Sequence, residues 1–298
     1  YANLVSSGTG SRTLASSGTI GISGAFTPGS NTYTATGSTV NFNGVNQSIP
    51  DIISTSGYNN LTISQMSGIA SLSASVRVVG ALNLSSGLLN LGAYNLTLSG
   101  SAAISGSPFS ATKMIISNGG GEIRKTYSAN GSYLFPIGDN DSVAEYSPVT
   151  INVSSGTYGA GAYVSVRVTN TKHPQNVSVN HFIRRYWTVT TSAITSPNYS
   201  VTATYLPSDI SGNDSSIYMA RYSGLLPWTK YSAANTASKT LTASGVTTAG
   251  SSDFTGTYFS PNSVTIQGGG VSVCSGDSVQ LIANAVGTAP FSYSWSPS

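Results

Sequence analysis

The chain has 298 residues, of which only 7% are charged, and its formal net charge is +3. The charged fraction lies far below the roughly 25% that is usual in globular proteins. The few basic residues are scattered, which argues against a nucleic-acid partner, and no apolar run approaches the roughly 18 residues of a membrane-spanning helix.

The residue types favour an ordered, all-β protein over a disordered one. The sequence contains 17 Tyr and 8 Phe alongside many Val, Ile and Thr, which suit pleated and half-buried strands. Disordered chains combine high net charge with few such residues. Gly, Pro and Ser/Thr runs interrupt every stretch long enough for a helix, so no helix is expected.

Three short apolar-polar-apolar triplets occupy residues 82–84, 89–91 and 96–98, each starting seven residues after the previous one. Alternation with a period of two is typical of strands, and the Gly, Ser and Asn residues between the triplets favour turns. Three equally spaced strands suggest the three sides of one coil of a β-solenoid. The leucines expected to face inward are Leu84, Leu91 and Leu98.

The segment 1–126 is therefore predicted to be a β-solenoid. Residues 60–64 and 95–99 are weakly repeated, which supports stacked coils, whereas the uneven intervals leave an ordinary antiparallel meander as an alternative. Longer alternating stretches between 127 and 265 predict a β-sandwich. A hinge at Gly268–Gly270 then precedes a third module within 266–298.

Catalysis by the predicted solenoid is not expected, because Asp51 is its only acidic residue within residues 1–112. Glycosidases need two facing carboxylates. His173 and His181 have no metal-ligand pattern around them and are interpreted as surface or loop residues. Asp139 and Asp141 form a dense group of oxygen ligands, for which a Ca²⁺ site and an Asx-type turn are the two interpretations.

Residues 181–187 concentrate aromatic side chains and the pair Arg184 and Arg185. Such a cluster is consistent with a sugar-binding platform, since arginine stacks on aromatic rings. The alternative is a strand whose residues alternate between the core and the surface, and this is the preferred interpretation.

Several short motifs resemble the very large, repetitive cell-surface and gliding-type adhesins of Bacteroidetes that the type IX secretion system exports. The motifs lie at residues 58–63, 91–98, 133–138, 146–151, 185–189 and 273–277. The resemblance implies secretion to the cell surface, tandem Ig-like or PKD-like modules, and adhesive or filament-forming work. The resemblance assigns no catalytic residue to this chain.

Cys274, the only cysteine, and Trp295 resemble the Cys and Trp pair of Ig-like domains. That resemblance implies that 266–298 begins an Ig-like or PKD-like module. Cys274 would then form a disulfide with a cysteine outside this sequence, the alternative being a free buried thiol.

The sequence thus predicts a non-enzymatic, extracellular adhesin or stalk segment without cofactors. Self-assembly into a filament is a close variant of this prediction. The expected partners of the chain are glycans, a surface or further copies of itself. The alternatives are a secreted carbohydrate-binding module and, less favoured, a β-helix carbohydrate-active enzyme.

Overall fold

The computed structural model describes residues 1–52, 57–259, 261–267, 278, 280–287 and 293. The protein is all-β, with 57% of its residues in strands and 2% in helices. The predicted all-β class is confirmed.

The parallel strands of the first part of the chain form a β-solenoid of about six turns. Its strands are β1 (Leu4–Val5), β2 (Ser11–Thr13), β3 (Thr19–Ile22), β4 (Phe26–Thr27), β5 (Thr32–Thr34), β6 (Thr39–Phe42), β7 (Ser48–Ile49), β8 (Tyr58–Leu72), β9 (Val76–Asn90), β10 (Leu96–Leu98), β11 (Ala103–Ser105), β12 (Ile115–Ile116) and β13 (Ile123–Thr126). Every pair of these named strands is parallel. The solenoid prediction is therefore confirmed, and the antiparallel meander is wrong for this segment.

The coils stack on three sides, and the long strands β8 and β9 bend from one side to the next. On the first side, β3 pairs with β6, β6 pairs with the first half of β8, and β8 and β11 pair with the middle of β9. On the second side, β7 pairs with the end of β8 and β12 with the end of β9. On the third side, β10 pairs with the start of β9 and with β13.

The three leucine triplets lie on these three sides. Leu82 pairs with Leu61 on the first side, Leu89 with Ile115 on the second, and Leu96 with Val76 on the third. Leu84, Leu91 and Leu98 are each 0% exposed. The predicted inward orientation of these leucines is confirmed.

Amide side chains connect successive coils at the corners. The side-chain oxygens of four asparagines each accept a hydrogen bond from a backbone N–H of the next coil: Asn3 from Ala25 (2.8 Å), Asn46 from Ile69 (3.0 Å), Asn60 from Ala81 (2.9 Å) and Asn95 from Glu122 (3.0 Å). Inside the solenoid, the Gln65 amide donates to Gln47 Oε1 at 2.8 Å. The four asparagine bonds satisfy backbone N–H groups that have no partner in the β-ladder, because the strand bends there.

The strands in the rest of the chain, up to residue 257, pair mainly in the antiparallel direction. Its strands are β14 (Gly131–Phe135), β15 (Ile137–Asp139), β16 (Glu145–Tyr146), β17 (Val149–Thr169), β18 (Phe182–Ile183), β19 (Tyr186–Thr204), β20 (Ile210–Ser211), β21 (Tyr218–Tyr222), β22 (Thr229–Ala233), β23 (Thr240–Val246) and β24 (Gly250–Thr257). Two single-turn 3₁₀ helices span Pro207–Asp209 and Asp214–Ser216.

The long hairpin of β17 and β19 organises this antiparallel part. One half of the hairpin lies between β14 and β23, and the other half lies between β13 and β24. Strand β21 extends the second group beyond β24, and β22 pairs with β21. The short strands β18 and β20 pair with each other.

The solenoid and the antiparallel part share strands and a core. Strand β13 pairs in parallel with β10 and antiparallel with β17, and β15 extends the second side beyond β12 in parallel. One apolar cluster runs without interruption from Ile22 to Phe254. The boundary predicted after residue 126 stays a prediction, but the strands on its two sides are hydrogen-bonded to one another.

Beyond residue 259, the described strands β25 (Pro261–Gln267) and β26 (Ile282–Gly287) form an antiparallel pair. The predicted hinge at Gly268–Gly270, Cys274 and Trp295 lie outside the described residues.

Candidate functional site

Asp139, for which a Ca²⁺ site was one of two interpretations, belongs to a buried ionic network. The Arg185 guanidinium is 0% exposed and donates to Asp139, to Glu145 and, through Nε at 3.0 Å, to Asp209. Asn170 donates to Asp139 Oδ1 at 3.0 Å. Burial by itself lowers the pKa of Arg185, but the hydrogen bonds with Asp209 and Asp139 outweigh it and raise the pKa above its ordinary value.

The carboxylate of Asp141, the other residue for which a Ca²⁺ site was one of two interpretations, forms no bond to Arg185 among the described residues. Its carboxylate accepts a hydrogen bond from the Asn118 amide, and its backbone N–H donates to Asp139 Oδ1 at 3.5 Å. This second contact is the Asx-type turn that the sequence offered as an alternative. Within the described residues, no group of three or more His, Cys, Asp or Glu side chains is placed to hold a metal ion.

Of the two predicted settings for His173, surface or loop, the structure shows the loop: the residue lies between β17 and β18 and is buried, with 4% of its surface exposed. Its Nδ1 accepts a hydrogen bond from the Gln175 N–H at 3.1 Å, and its Nε2 lies 3.1 Å from Asp253 Oδ2. Because Nδ1 is an acceptor, Nε2 carries the proton and donates it to Asp253. The ring packs against Tyr186, Tyr222 and Trp228, with centroid distances of 4.8, 5.2 and 4.9 Å.

Both nitrogens of His173 are thus occupied, and the ring lies in an aromatic box that anchors the loop before β18. His181 plays a smaller, similar part, since its Nδ1 accepts the Asn213 N–H at 2.8 Å. The geometry assigns both histidines to loop anchoring, and within the described part of the chain no nucleophile is hydrogen-bonded to either ring.

The aromatic and basic run 181–187 is part of the core. Ile183, Arg185 and Trp187 are each 0% exposed, whereas Arg184 is exposed to solvent. The preferred interpretation, core packing, is confirmed for these residues. The Trp187 indole donates to Ser147 O at 3.3 Å, which satisfies its only donor.

A concave feature with aromatic walls lies where the solenoid meets the antiparallel part, and we call it the junction cleft. Arg77, Gly100 and Thr126 line it from the solenoid, and Tyr127 and Tyr158 line it from the segments that follow. Its volume is about 330 Å³. A second hollow of about 200 Å³ adjoins it and shares Gly100, Thr126 and Tyr127 with it.

A bulge in β17 opens the junction cleft. Tyr158 pairs with Ile194 and Tyr163 with Ser192, so residues 159–162 face only Ala193 on the partner strand. Ala193 has a φ of 53°, and Gly161 has a φ of 71°. Positive φ in a non-glycine residue is costly, and such strain concentrates next to functional sites, as bulges do.

Hydrogen bonds hold the aromatic walls of the cleft in place. The Tyr158 hydroxyl donates to Asn130 Oδ1 at 2.8 Å, and the Asn130 amide donates to Ser154 O at 2.7 Å. The Tyr127 hydroxyl is buried and has no hydrogen-bond partner among the described residues. Burial, together with nearby Tyr133 and Tyr158, raises the pKa of Tyr127 above its ordinary value, so this hydroxyl stays protonated and can donate.

The charges around the cleft are positive. Arg77 is exposed. Its Nε donates a hydrogen bond to Ser99 Oγ at 2.5 Å, and its other guanidinium nitrogens have no hydrogen-bond partner among the described residues. Lys125 lines the adjoining hollow, where its ammonium donates to Gly100 O and Ala102 O and lies 5.4 Å from the centre of the Tyr133 ring. Burial lowers the pKa of Lys125. None of the residues that line the two hollows is acidic.

In comparisons with known proteins, no family model, no curated protein and no solved structure matched this chain. Among the described residues, no helix has the length and apolar character needed to cross a membrane.

The sequence did not reveal the junction cleft or the Arg185 network. Tyr127, Tyr133 and Tyr158 stand within one stretch, but sequence spacing does not show that a bulge brings them next to Arg77. Asp139 and Arg185 are separated by 46 residues, and each was noticed for a different reason.

Proposed function

We propose that this chain is a non-enzymatic, extracellular adhesin or stalk segment. The observation that carries the proposal is the continuous core that joins the solenoid to the antiparallel strands. Elements that share strands and one core move together, so the protein can span distance and transmit load as a single body. A stalk requires that property, whereas an enzyme does not.

The positions of the carboxylates support the non-enzymatic part of the proposal. Asp139, Glu145 and Asp209 surround Arg185. Of the others, Asp214 pairs with Lys239 at 2.7 Å, and Asp253 holds His173 and Thr188. Acid–base chemistry needs a carboxyl group that faces a substrate, and these groups face structural partners instead.

The outward faces of the solenoid support a role in surface contact. On the first side, Asn41, Thr62 and Asn83 stand in register on successive coils. The Ser64 hydroxyl donates to Asn41 Oδ1 at 2.6 Å between neighbouring coils. An uncharged, hydrogen-bonding face approaches glycans, a surface or another copy without strong charge repulsion.

The predicted β-sandwich, Ig-like module and export route belong to the same proposal. We take the two strand groups around the hairpin of β17 and β19 as the sheets of a β-sandwich, and 266–298 as the start of an Ig-like module with a paired Cys274. Export by the type IX system to a bacterial surface follows from the sequence resemblance alone.

Labelling of intact cells tests the extracellular assignment. A membrane-impermeant amine reagent applied to cells that produce the chain should modify Lys230 before lysis, because that side chain is exposed. An abundant cytosolic protein serves as the control and should stay unlabelled. Modification of Lys230 only after lysis would overturn the proposal.

A further inference from the structure

We infer that the junction cleft binds a saccharide that carries a carboxylate group. The inference deepens the proposed adhesive function by naming a site and a ligand class, and it rests on that function for its biological meaning. The physical argument depends only on the cleft.

The first step is the shape of the cleft. A volume of about 330 Å³ falls at the small end of ligand-binding sites, which span roughly 300–1,000 Å³. The bulge keeps the cleft open, because residues 159–162 have at most a methyl group as side chain and Ala193 alone opposes them. A β-strand that continued without the bulge would bring its own side chains into this space.

The second step is the aromatic lining. Tyr127 and Tyr158 offer apolar rings with polar ends, a combination that suits sugar rings, which have apolar faces and hydroxyl rims. The Asn130 amide fixes the Tyr158 hydroxyl, so the ring is held before any ligand arrives. The Tyr127 side chain lines the cleft, and its hydroxyl is buried and lacks a partner among the described residues.

The third step is the charge. Among the described residues, Arg77 forms no ion pair, and its two terminal guanidinium nitrogens have no recorded partner. A guanidinium binds a carboxylate through two parallel hydrogen bonds. Lys125 already donates to two carbonyl oxygens and lines only the adjoining hollow, so Arg77 is the charged group that lines the cleft itself and selects the charged ligand.

A matched pair of trisaccharide and disaccharide tests the inference. We expect 3′-sialyllactose to bind the full chain in isothermal titration calorimetry, and lactose, which lacks the carboxylate, to bind at least about tenfold more weakly, equivalent to roughly 1.4 kcal/mol. Arg77→Ala should reduce sialyllactose binding to the lactose level. Arg12→Ala is the control, because Arg12 also lies on a solenoid strand and is not among the residues that line the cleft.

Tyr158→Ala should weaken both sugars, since it removes the stacking surface rather than the charge contact. Circular dichroism of each variant verifies that it is folded. Equal binding of the two sugars, no binding of either, or unchanged binding by Arg77→Ala would overturn the inference. Labelling of intact cells tests the proposed function separately. A failure of the sugar-binding experiment can therefore be distinguished from a failure of the proposed function.

Discussion

Arg185, which directly precedes β19, and Asp139 on β15 form an ion pair in which both side chains are 0% exposed. The pair connects the antiparallel hairpin to the strand that extends the second side of the solenoid. Buried charges are costly unless each is paired and hydrogen-bonded. Glu145 and Asp209 complete the shell around the guanidinium and bring two further segments to the same point.

We predict that Arg185→Met destabilises the protein by about 3–5 kcal/mol, because it leaves buried carboxylates without their cation. Chemical denaturation followed by circular dichroism measures this loss. Arg184→Met is the control, since the neighbouring side chain is exposed. A loss below about 1 kcal/mol for Arg185→Met would show that the network does not hold the two parts together.

Leu91→Asp should cost several kcal/mol, because it places a carboxylate in the dry interior of the solenoid, where Leu91 is 0% exposed. Thermal melting measures the effect. Asn90→Asp changes the adjacent residue, whose side chain lies outside the core and accepts the Gly92 N–H at 3.0 Å. It keeps that acceptor and should melt close to the wild type, and equal melting temperatures for all three proteins would refute the inward register.

Asn60→Ala should destabilise the protein by about 1 kcal/mol, since the Ala81 N–H loses the acceptor that bridges two coils. Asn60→Asp retains an acceptor oxygen and should recover much of that loss. Urea unfolding of the three proteins gives the comparison. If the alanine and aspartate variants lost the same stability, the corner bond would not be the cause.

The stability that Asp253 contributes should be lost at acidic pH. Burial alone raises the pKa of Asp253, but the hydrogen bonds from His173 and Thr188 outweigh it, so the pKa is lowered in the folded state. A lowered carboxyl pKa stabilises the fold above the unfolded value of about 3.9, and the contribution disappears as pH falls through the folded value. Asp253→Asn should therefore lose less stability than the wild type below about pH 4.

Melting temperatures between neutral pH and pH 3 test this sign, with Asp141→Asn as the surface control, because Asp141 contacts only Asn118 and its own turn. A wild type and an Asp253→Asn variant that respond identically to acid would contradict the assignment.

The leucine triplets show how much of the fold the sequence could predict. Strand alternation and a seven-residue spacing are local signals, and they placed Leu84, Leu91 and Leu98 correctly on three buried sides. The corner bond from Ala81 to Asn60 was not predictable, because an asparagine in a turn has the same local pattern whether its partner is its own turn or the next coil. The pairing of β8 with β9, which brings together residues 21 positions apart, decides which of the two hydrogen bonds the asparagine forms.

The candidate site was less predictable, because its residues come from separate parts of the chain. Arg77 lies on the solenoid and Tyr158 at the bulge, and only the pairing of β13 with β17 brings these segments together. The burial of His173 was not predictable for a similar reason, since its aromatic neighbours Tyr222 and Trp228 follow it by about fifty residues.

One measurement tests the central claim, that the solenoid and the antiparallel strands are a single rigid body. Trp187 is buried in the antiparallel part, and its fluorescence reports on that part, while Leu91→Asp perturbs the solenoid. We predict that Leu91→Asp lowers the temperature of the Trp187 fluorescence transition by the same amount as the circular dichroism transition, with Trp228→Phe and Trp295→Phe together as the background that isolates the signal. A Trp187 transition that stays at the wild-type temperature while the dichroism transition falls would contradict the claim.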